Sequence, residues 1–182
     1  MDYGYLAGIN YESAADGTGV RTAIFLSGCA HNCPECHNPE THDPRFGVQI
    51  TEDIIRQIAE EIKKRPYLAG ITLTGGDPLY MPWQTLAFLA KLKRCLGFLP
   101  NIWLYTGYTM EQIERDDIPA PLYGRMLVDL CDVVVDGPFI KALADKRLAF
   151  RGSSNQNIIQ VKDTYHVIRG KRSEIIYIQE DE

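Results

Sequence analysis

The sequence predicts an α/β fold, an incomplete TIM-type barrel of about five or six mainly parallel strands with outer helices, and three observations lead there. Short apolar runs alternate with amphipathic ones, which is the pattern of βα units around a parallel sheet. The chain has 182 residues, whereas a full eight-unit barrel needs about 250. The unusual residues fall just after the apolar runs, at the carboxyl ends of strands, where α/β sheets gather their chemistry. An incomplete wall leaves a lateral gap wide enough to admit a loop of another protein.

Taken in order, Thr22 to Leu26 is the first strand, running straight into a cysteine loop. Thr51 caps a helix with Glu52 and Asp53 in its first turn, and Ile54, Ile55, Ile58, Ala59 and Ile62 share one face until Pro66. Ile71 to Thr74 is the second strand, followed by Gly75-Gly76-Asp77-Pro78. A helix from about Gln84 to Leu96 then turns Leu86, Leu89, Ala90 and Leu96 inward. Further strands are Ile102 to Tyr105, Val133 to Val135, Ile158 to Val161 and Ile175 to Ile178. Thr106-Gly107-Tyr108 follows the third strand and Asp136-Gly137-Pro138 the fourth.

No linker, repeat or low-complexity tract divides the chain, so residues 1–182 are expected to form one domain whose 45% hydrophobic residues supply a single core. A formal charge of −5 offers no footprint for nucleic acid, and Lys63-Lys64-Arg65 and Arg169-Gly170-Lys171-Arg172 read as solvated ends of elements. No uninterrupted apolar stretch approaches the roughly 20 residues a membrane helix needs. The opening Met1-Asp2-Tyr3-Gly4-Tyr5 carries an acid and no apolar run, unlike a secretory signal. A soluble, cytoplasmic protein with reduced thiols is the expectation.

Cys29-Ala-His-Asn-Cys33-Pro-Glu-Cys36 packs three cysteines into eight residues. That set can tie down a four-iron cluster at three irons and leave the fourth open, which separates a reactive centre from a structural one. A zinc site completed by a histidine is the competing reading. It is awkward, because His37 directly follows Cys36 and adjacent side chains point apart. Cys95 and Cys131 lie in or near apolar helical stretches and read as small buried hydrophobes. The diglycine Gly75-Gly76 lets a ligand come against bare backbone, Pro78 biases Asp77 toward an extended conformation, and Asp77 can face a ligand's amino group. As an alternative, each of these loops is an ordinary Gly, Asp and Pro turn.

The cysteine triplet resembles the motif of the radical S-adenosylmethionine superfamily, and Gly75-Gly76-Asp77-Pro78 is similar to that superfamily's segment for the methionyl amino group. Asp16-Gly17-Thr18-Gly19-Val20-Arg21, Phe25, Gly28-Cys29 and Cys36-His37-Asn38 resemble the activating enzymes of glycyl-radical proteins. Ile102 to Tyr108, Val133 to Phe139 and Arg151-Gly152-Ser153-Ser154-Asn155-Gln156 are similar to the branch that serves anaerobic ribonucleoside-triphosphate reductase. The likeness runs from about Asp16 to Val161.

This resemblance implies a [4Fe-4S] cluster held by Cys29, Cys33 and Cys36, with S-adenosylmethionine bound at its open iron. Gly75, Gly76 and Asp77 would hold the methionyl end, and the backbone around Cys36, including Glu35 and His37, would lie near the adenine. His37 reads equally well as a hydrogen-bonding or plain loop histidine. An external electron donor such as flavodoxin would reduce the cluster. A 5′-deoxyadenosyl radical would then take hydrogen from a glycine of the reductase's catalytic subunit. Asp136 either faces the mouth or ends its strand, and Arg21 reads as structural.

Two departures stand out. Glu35 occupies a place where many superfamily members carry an aromatic residue, and the chain has no inserted ferredoxin-like domain. The segment from Arg151 to Gln156 is either a surface turn or the shape of the open side where the partner's glycine loop docks. On the docking reading, replacing Asn155 and Gln156 should impair partner activation but spare cofactor cleavage. Competing readings are a small-molecule radical enzyme resembling 7-carboxy-7-deazaguanine synthase, an activator of another glycyl-radical protein, and a non-catalytic metal-binding module.

Overall fold

A computed structural model describes residues 1–161 and the short strand Ile176–Tyr177. The elements are β1 (Tyr5–Ser13), β2 (Arg21–Leu26), β3 (Val48–Gln49), α1 (Glu52–Lys63), β4 (Gly70–Gly75), α2 (Pro82–Leu96), β5 (Ile102–Tyr105), α3 (Met110–Glu114), α4 (Pro121–Leu130), β6 (Val133–Asp136), β7 (Asn157–Gln160) and β8 (Ile176–Tyr177), with 3₁₀ turns at Pro39–His42 and Lys141–Leu143. They build a mixed α/β fold around one eight-stranded sheet of order β3-β1-β2-β4-β5-β6-β7-β8. No helix among the described residues is long and apolar enough to cross a membrane.

The sheet corrects the expectation of five or six mainly parallel strands. Only β2, β4, β5 and β6 run parallel, and both flanks are antiparallel. Parallel pairing needs a crossover, and α1, α2 and the α3–α4 pair supply one between successive central strands. Between β6 and β7 only the 3₁₀ turn intervenes, so the chain returns antiparallel. The apolar pattern does not announce β1, because Gly8 and Asn10 interrupt it, and its register against β2 slips twice. The basic run Arg169 to Arg172 and the ends of the last expected strand lie outside the described residues.

Strand alternation divides the core. Ile24, Ile71, Leu73, Ile102, Leu104 and Val134 pack with the helices, while Trp103, Val133, Val135 and Ile158 form a smaller cluster with Tyr105 and Phe150. Thr51 caps α1 by accepting from the Ile54 amide at 3.3 Å, and Ile55, Ile58, Ala59 and Ile62 are buried as their spacing requires. In α2 the buried stripe is Thr85, Phe88, Leu89, Leu92 and Leu96. Leu86 is half-buried and Ala90 exposed, so the inward face is turned from the expected one around Leu89.

Arg21, 1% exposed, closes the end of the sheet opposite the cysteine loop. It donates to Thr72 Oγ1 at 3.0 Å, the Ile71 carbonyl at 2.9 Å and Asn101 Oδ1 at 2.8 Å, and its guanidinium lies 5.5 Å from the Trp103 ring centroid. Burial pulls its pKa down to about 10. These contacts make it structural.

Candidate functional site

β2, β4, β5 and β6 deliver their following loops to one edge of the sheet. There they enclose an open cleft of about 240 Å³ lined by Cys29, Cys33, Cys36, His37, Gly75, Gly76 and Asp77, together with Tyr105, Thr106, Phe139 and Gln156. All three cysteines line this cleft, although they belong to an irregular loop. Asn32 and Glu35 turn that loop with φ of 47° and 57°, and the Cys36 amide donates to the Cys33 carbonyl at 3.2 Å.

All five cysteines are free thiols. Burial pushes the Cys29 thiol up to about 11, while the His31 backbone amide pulls the other way and Asp77 and the neighbouring thiols add to the rise. Cys131 is buried and donates to the Leu127 carbonyl at 3.2 Å, and Cys95 sits on α2, so neither serves the cleft. Among the described residues no three His, Cys, Asp or Glu side chains stand gathered as a ready-made metal cage. The donor set is nonetheless a match for iron–sulfur ligation: three soft sulfurs from one short loop, facing one open space.

Gly75 and Gly76 have a structural reason to be glycine. A Cβ on Gly75 would lie 2.7 Å from the Leu26 backbone, at a φ of 101°, and one on Gly76 would lie 2.5 Å from the Gly28 carbonyl oxygen. The close approach expected of a ligand is therefore made by the chain itself. The Gly76 amide donates to the Leu26 carbonyl at 2.7 Å, and the Asp77 amide to the Gly28 carbonyl at 2.8 Å, tying the start of the cysteine loop to β4.

The Asp77 side chain likewise faces the fold. Only 3% exposed, it accepts from the Leu79 amide at 2.8 Å, from Thr106 Oγ1 at 2.9 Å and from the Gly107 amide at 2.9 Å, and its Oδ2 stands 2.7 Å from His31 Nε2. Its carboxylate is committed to these loops rather than offered to a ligand's amino group. Asp136 resolves the same way: 2% exposed, it accepts from the amides of Met110 and Asn157 and terminates its strand.

Glu35 is absent from the cleft lining. Its exposed carboxylate pairs instead with Lys141 on the turn after β6. His37 lines the cleft with its ring centroid 5.8 Å from that of Phe139. Gln156 donates to the Gly137 carbonyl at 3.0 Å and accepts from the Gly152 amide at 2.9 Å, while Asn155 donates to the Pro138 carbonyl at 2.8 Å. The segment from Arg151 to Gln156 thus braces the cleft wall from Gly137 to Phe139. Sequence reasoning passed over His31, and its place between the first two cysteines was the available signal.

Comparison with known proteins places this arrangement. Residues 15–159, which span β2 through most of β7 and every cleft loop, match the family model described as a 4Fe-4S single cluster domain. The anaerobic ribonucleoside-triphosphate reductase-activating protein of Salmonella typhimurium is 36% identical over 144 residues, covering 78% of this chain and 88% of that protein. The chain belongs to this family of reductase-activating proteins. The Escherichia coli K12 member shows the same 36% identity and coverage, and that of enterobacteria phage T4 is 34% identical over 144 residues, or 79% of this chain and 85% of its own. The cysteine loop, the diglycine turn and the segment from Arg151 to Gln156 all lie inside the family match.

Proposed function

We propose that this chain is a radical S-adenosylmethionine activase that installs a glycyl radical on the catalytic subunit of anaerobic ribonucleoside-triphosphate reductase. The observation that carries this reading is the convergence of Cys29, Cys33 and Cys36 with Gly75, Gly76 and Asp77 on one cleft, within a chain of this family. A [4Fe-4S] cluster with bound S-adenosylmethionine supplies a one-electron cleavage that gives methionine and a 5′-deoxyadenosyl radical able to take hydrogen from a glycine Cα.

The chain's own residues bind, orient and shield. Cys29, Cys33 and Cys36 would be the cluster ligands, each giving up its thiol proton as the metal binds. Gly75, Gly76 and Asp77 would form the wall for the methionyl end. Asp77 acts there by fixing the neighbouring loops, since its carboxylate is fully engaged. Cys36 and His37 would line the adenine side, with Phe139 facing His37, and Glu35 would support this side from outside through Lys141. Tyr105, Phe139 and Gln156 narrow the cleft and limit water around the reacting groups.

In this reading the sheet curls as an incomplete barrel within one domain, and the partner's glycine loop enters by its open side. An external donor such as flavodoxin would supply electrons, in the reducing cytoplasm that free thiols favour. The test is anaerobic reconstitution with iron, sulfide, reductant and S-adenosylmethionine, with and without the reductase. 5′-Deoxyadenosine with a glycyl spin resonance signal on the reductase supports the proposal, and cofactor cleavage that never gives this signal refutes it.

A further inference from the structure

The side chain of His31, in the cysteine loop, is locked by two other loops. Its Nε2 stands 2.7 Å from Asp77 Oδ2 on the β4 loop, with side chains 17% and 2% exposed. Its ring meets Tyr108 edge-on, with centroids 4.4 Å apart, on the β5 loop. It also lies against the bare Cα of Gly107, where a Cβ would come within 2.5 Å of the imidazole Cδ2. Asp77 is in turn held by Thr106, Gly107 and Leu79, so the imidazole reaches a fixed acceptor. Because His31 lies between Cys29 and Cys33, contacts that hold its side chain also restrain the chain between these two cysteines.

We propose that His31 is a positioning residue: its contact with Asp77 pins the cysteine loop to the sheet edge and sets how the Cys29 and Cys33 sulfurs stand toward the cluster. The inference rests on the reading of Cys29, Cys33 and Cys36 as cluster ligands. It gives Asp77 a role through His31 and the cysteine loop. Hydrogen bonds to cluster sulfurs and the partners that orient ligand loops tune both retention and electronic structure.

The test uses the anaerobically reconstituted full chain and two readouts other than turnover: the rate of cluster loss to a chelator, and the spin resonance spectrum of the reduced cluster before and after adding S-adenosylmethionine. His31→Ala should speed cluster loss about 10- to 100-fold and alter the spectrum. Gly107→Ala should do the same while keeping the imidazole, because its Cβ displaces the ring, and it carries the test if His31→Ala does not fold. In the His31→Ala background Gly107→Ala should add little, since the group it strikes is gone. His31→Gln, which can place an amide N–H toward Asp77, should recover much of the loss. Unchanged retention and spectrum in His31→Ala, full additivity of the two changes, or no rescue by glutamine overturns the proposal. If the unsubstituted chain takes up no cluster, or Cys29→Ser still holds one normally, the ligand assignment fails and this inference with it.

Discussion

Gly76→Ala tests how the cysteine loop is mounted. The new Cβ would stand 2.5 Å from the Gly28 carbonyl oxygen and 2.9 Å from its carbon, and ordinary contact begins at 3.4 Å. Gly28 must therefore retreat by about 0.9 Å, and both obstructing atoms are backbone, so no side chain can swing aside. The retreat strains two bonds, from the Asp77 amide to the Gly28 carbonyl at 2.8 Å and from the Gly28 amide to the Thr41 carbonyl at 2.7 Å. At about 1–3 kcal/mol for each buried donor left unmet, the expected cost is about 2–6 kcal/mol, a large part of a stability of about 5–15 kcal/mol. Gly8→Ala is the control, because its Cβ meets nothing within 4 Å and its φ is not positive, so it should stay within about 0.5 kcal/mol of the parent. Urea unfolding of the metal-free chain, followed by circular dichroism, measures both. If Gly76→Ala costs no more than Gly8→Ala, the loop is not anchored through this contact.

Asp77→Ala should orphan the amides of Leu79 and Gly107 and cost about 2–6 kcal/mol, whereas Asp77→Asn keeps one acceptor oxygen and should cost about half as much; the order of their unfolding midpoints checks this. Burial holds the phenol pKa of Tyr105 above its usual 10.0 and pushes that of Tyr108 up to about 12, so the fold favours the neutral rings. Their contribution is complete below pH 10 and drains away as pH climbs toward 12, and Tyr105→Phe should lose about 1 kcal/mol at neutral pH with a shallower alkaline decline. Because Gln156 lines the cleft itself, the docking expectation does not extend to it: Gln156→Ala removes a brace from the cleft wall and should depress 5′-deoxyadenosine formation and glycyl radical yield together. Asn155→Ala, outside the cleft lining, should depress radical yield more than cleavage. Product analysis beside spin resonance on the reductase separates the two.

Much of the fold was legible because its parallel centre follows local rules. Thr51, Glu52 and the isoleucines of α1 announce a capped amphipathic helix, and the apolar runs of β2, β4, β5 and β6 are strands buried on both faces. The antiparallel flanks were less legible. β1 is half-buried and bulged, and β3 has two exposed residues, so their pairing depends on partners distant in sequence. The site followed the same division. The strand-end loops located the cleft, and Cys29, Cys33 and Cys36 line it. Spacing does not tell which way a side chain faces. The turn motif offers Asp77 to a ligand and leaves Asp136 open between facing the mouth and ending its strand, and each is engaged by amides that the assembled loops bring near. Glu35 lies two residues from Cys33, yet a left-handed turn carries it out to Lys141.

The most direct measurement is spin resonance on the reductase's catalytic subunit after anaerobic incubation with the reduced, reconstituted chain and S-adenosylmethionine, using the parent beside the Cys29→Ser, Cys33→Ser and Cys36→Ser variants. A glycyl signal with the parent, and none with any of the three, is the predicted result. A signal that survives loss of one of these sulfurs, or its absence with a cluster-loaded parent that cleaves the cofactor, would contradict the account.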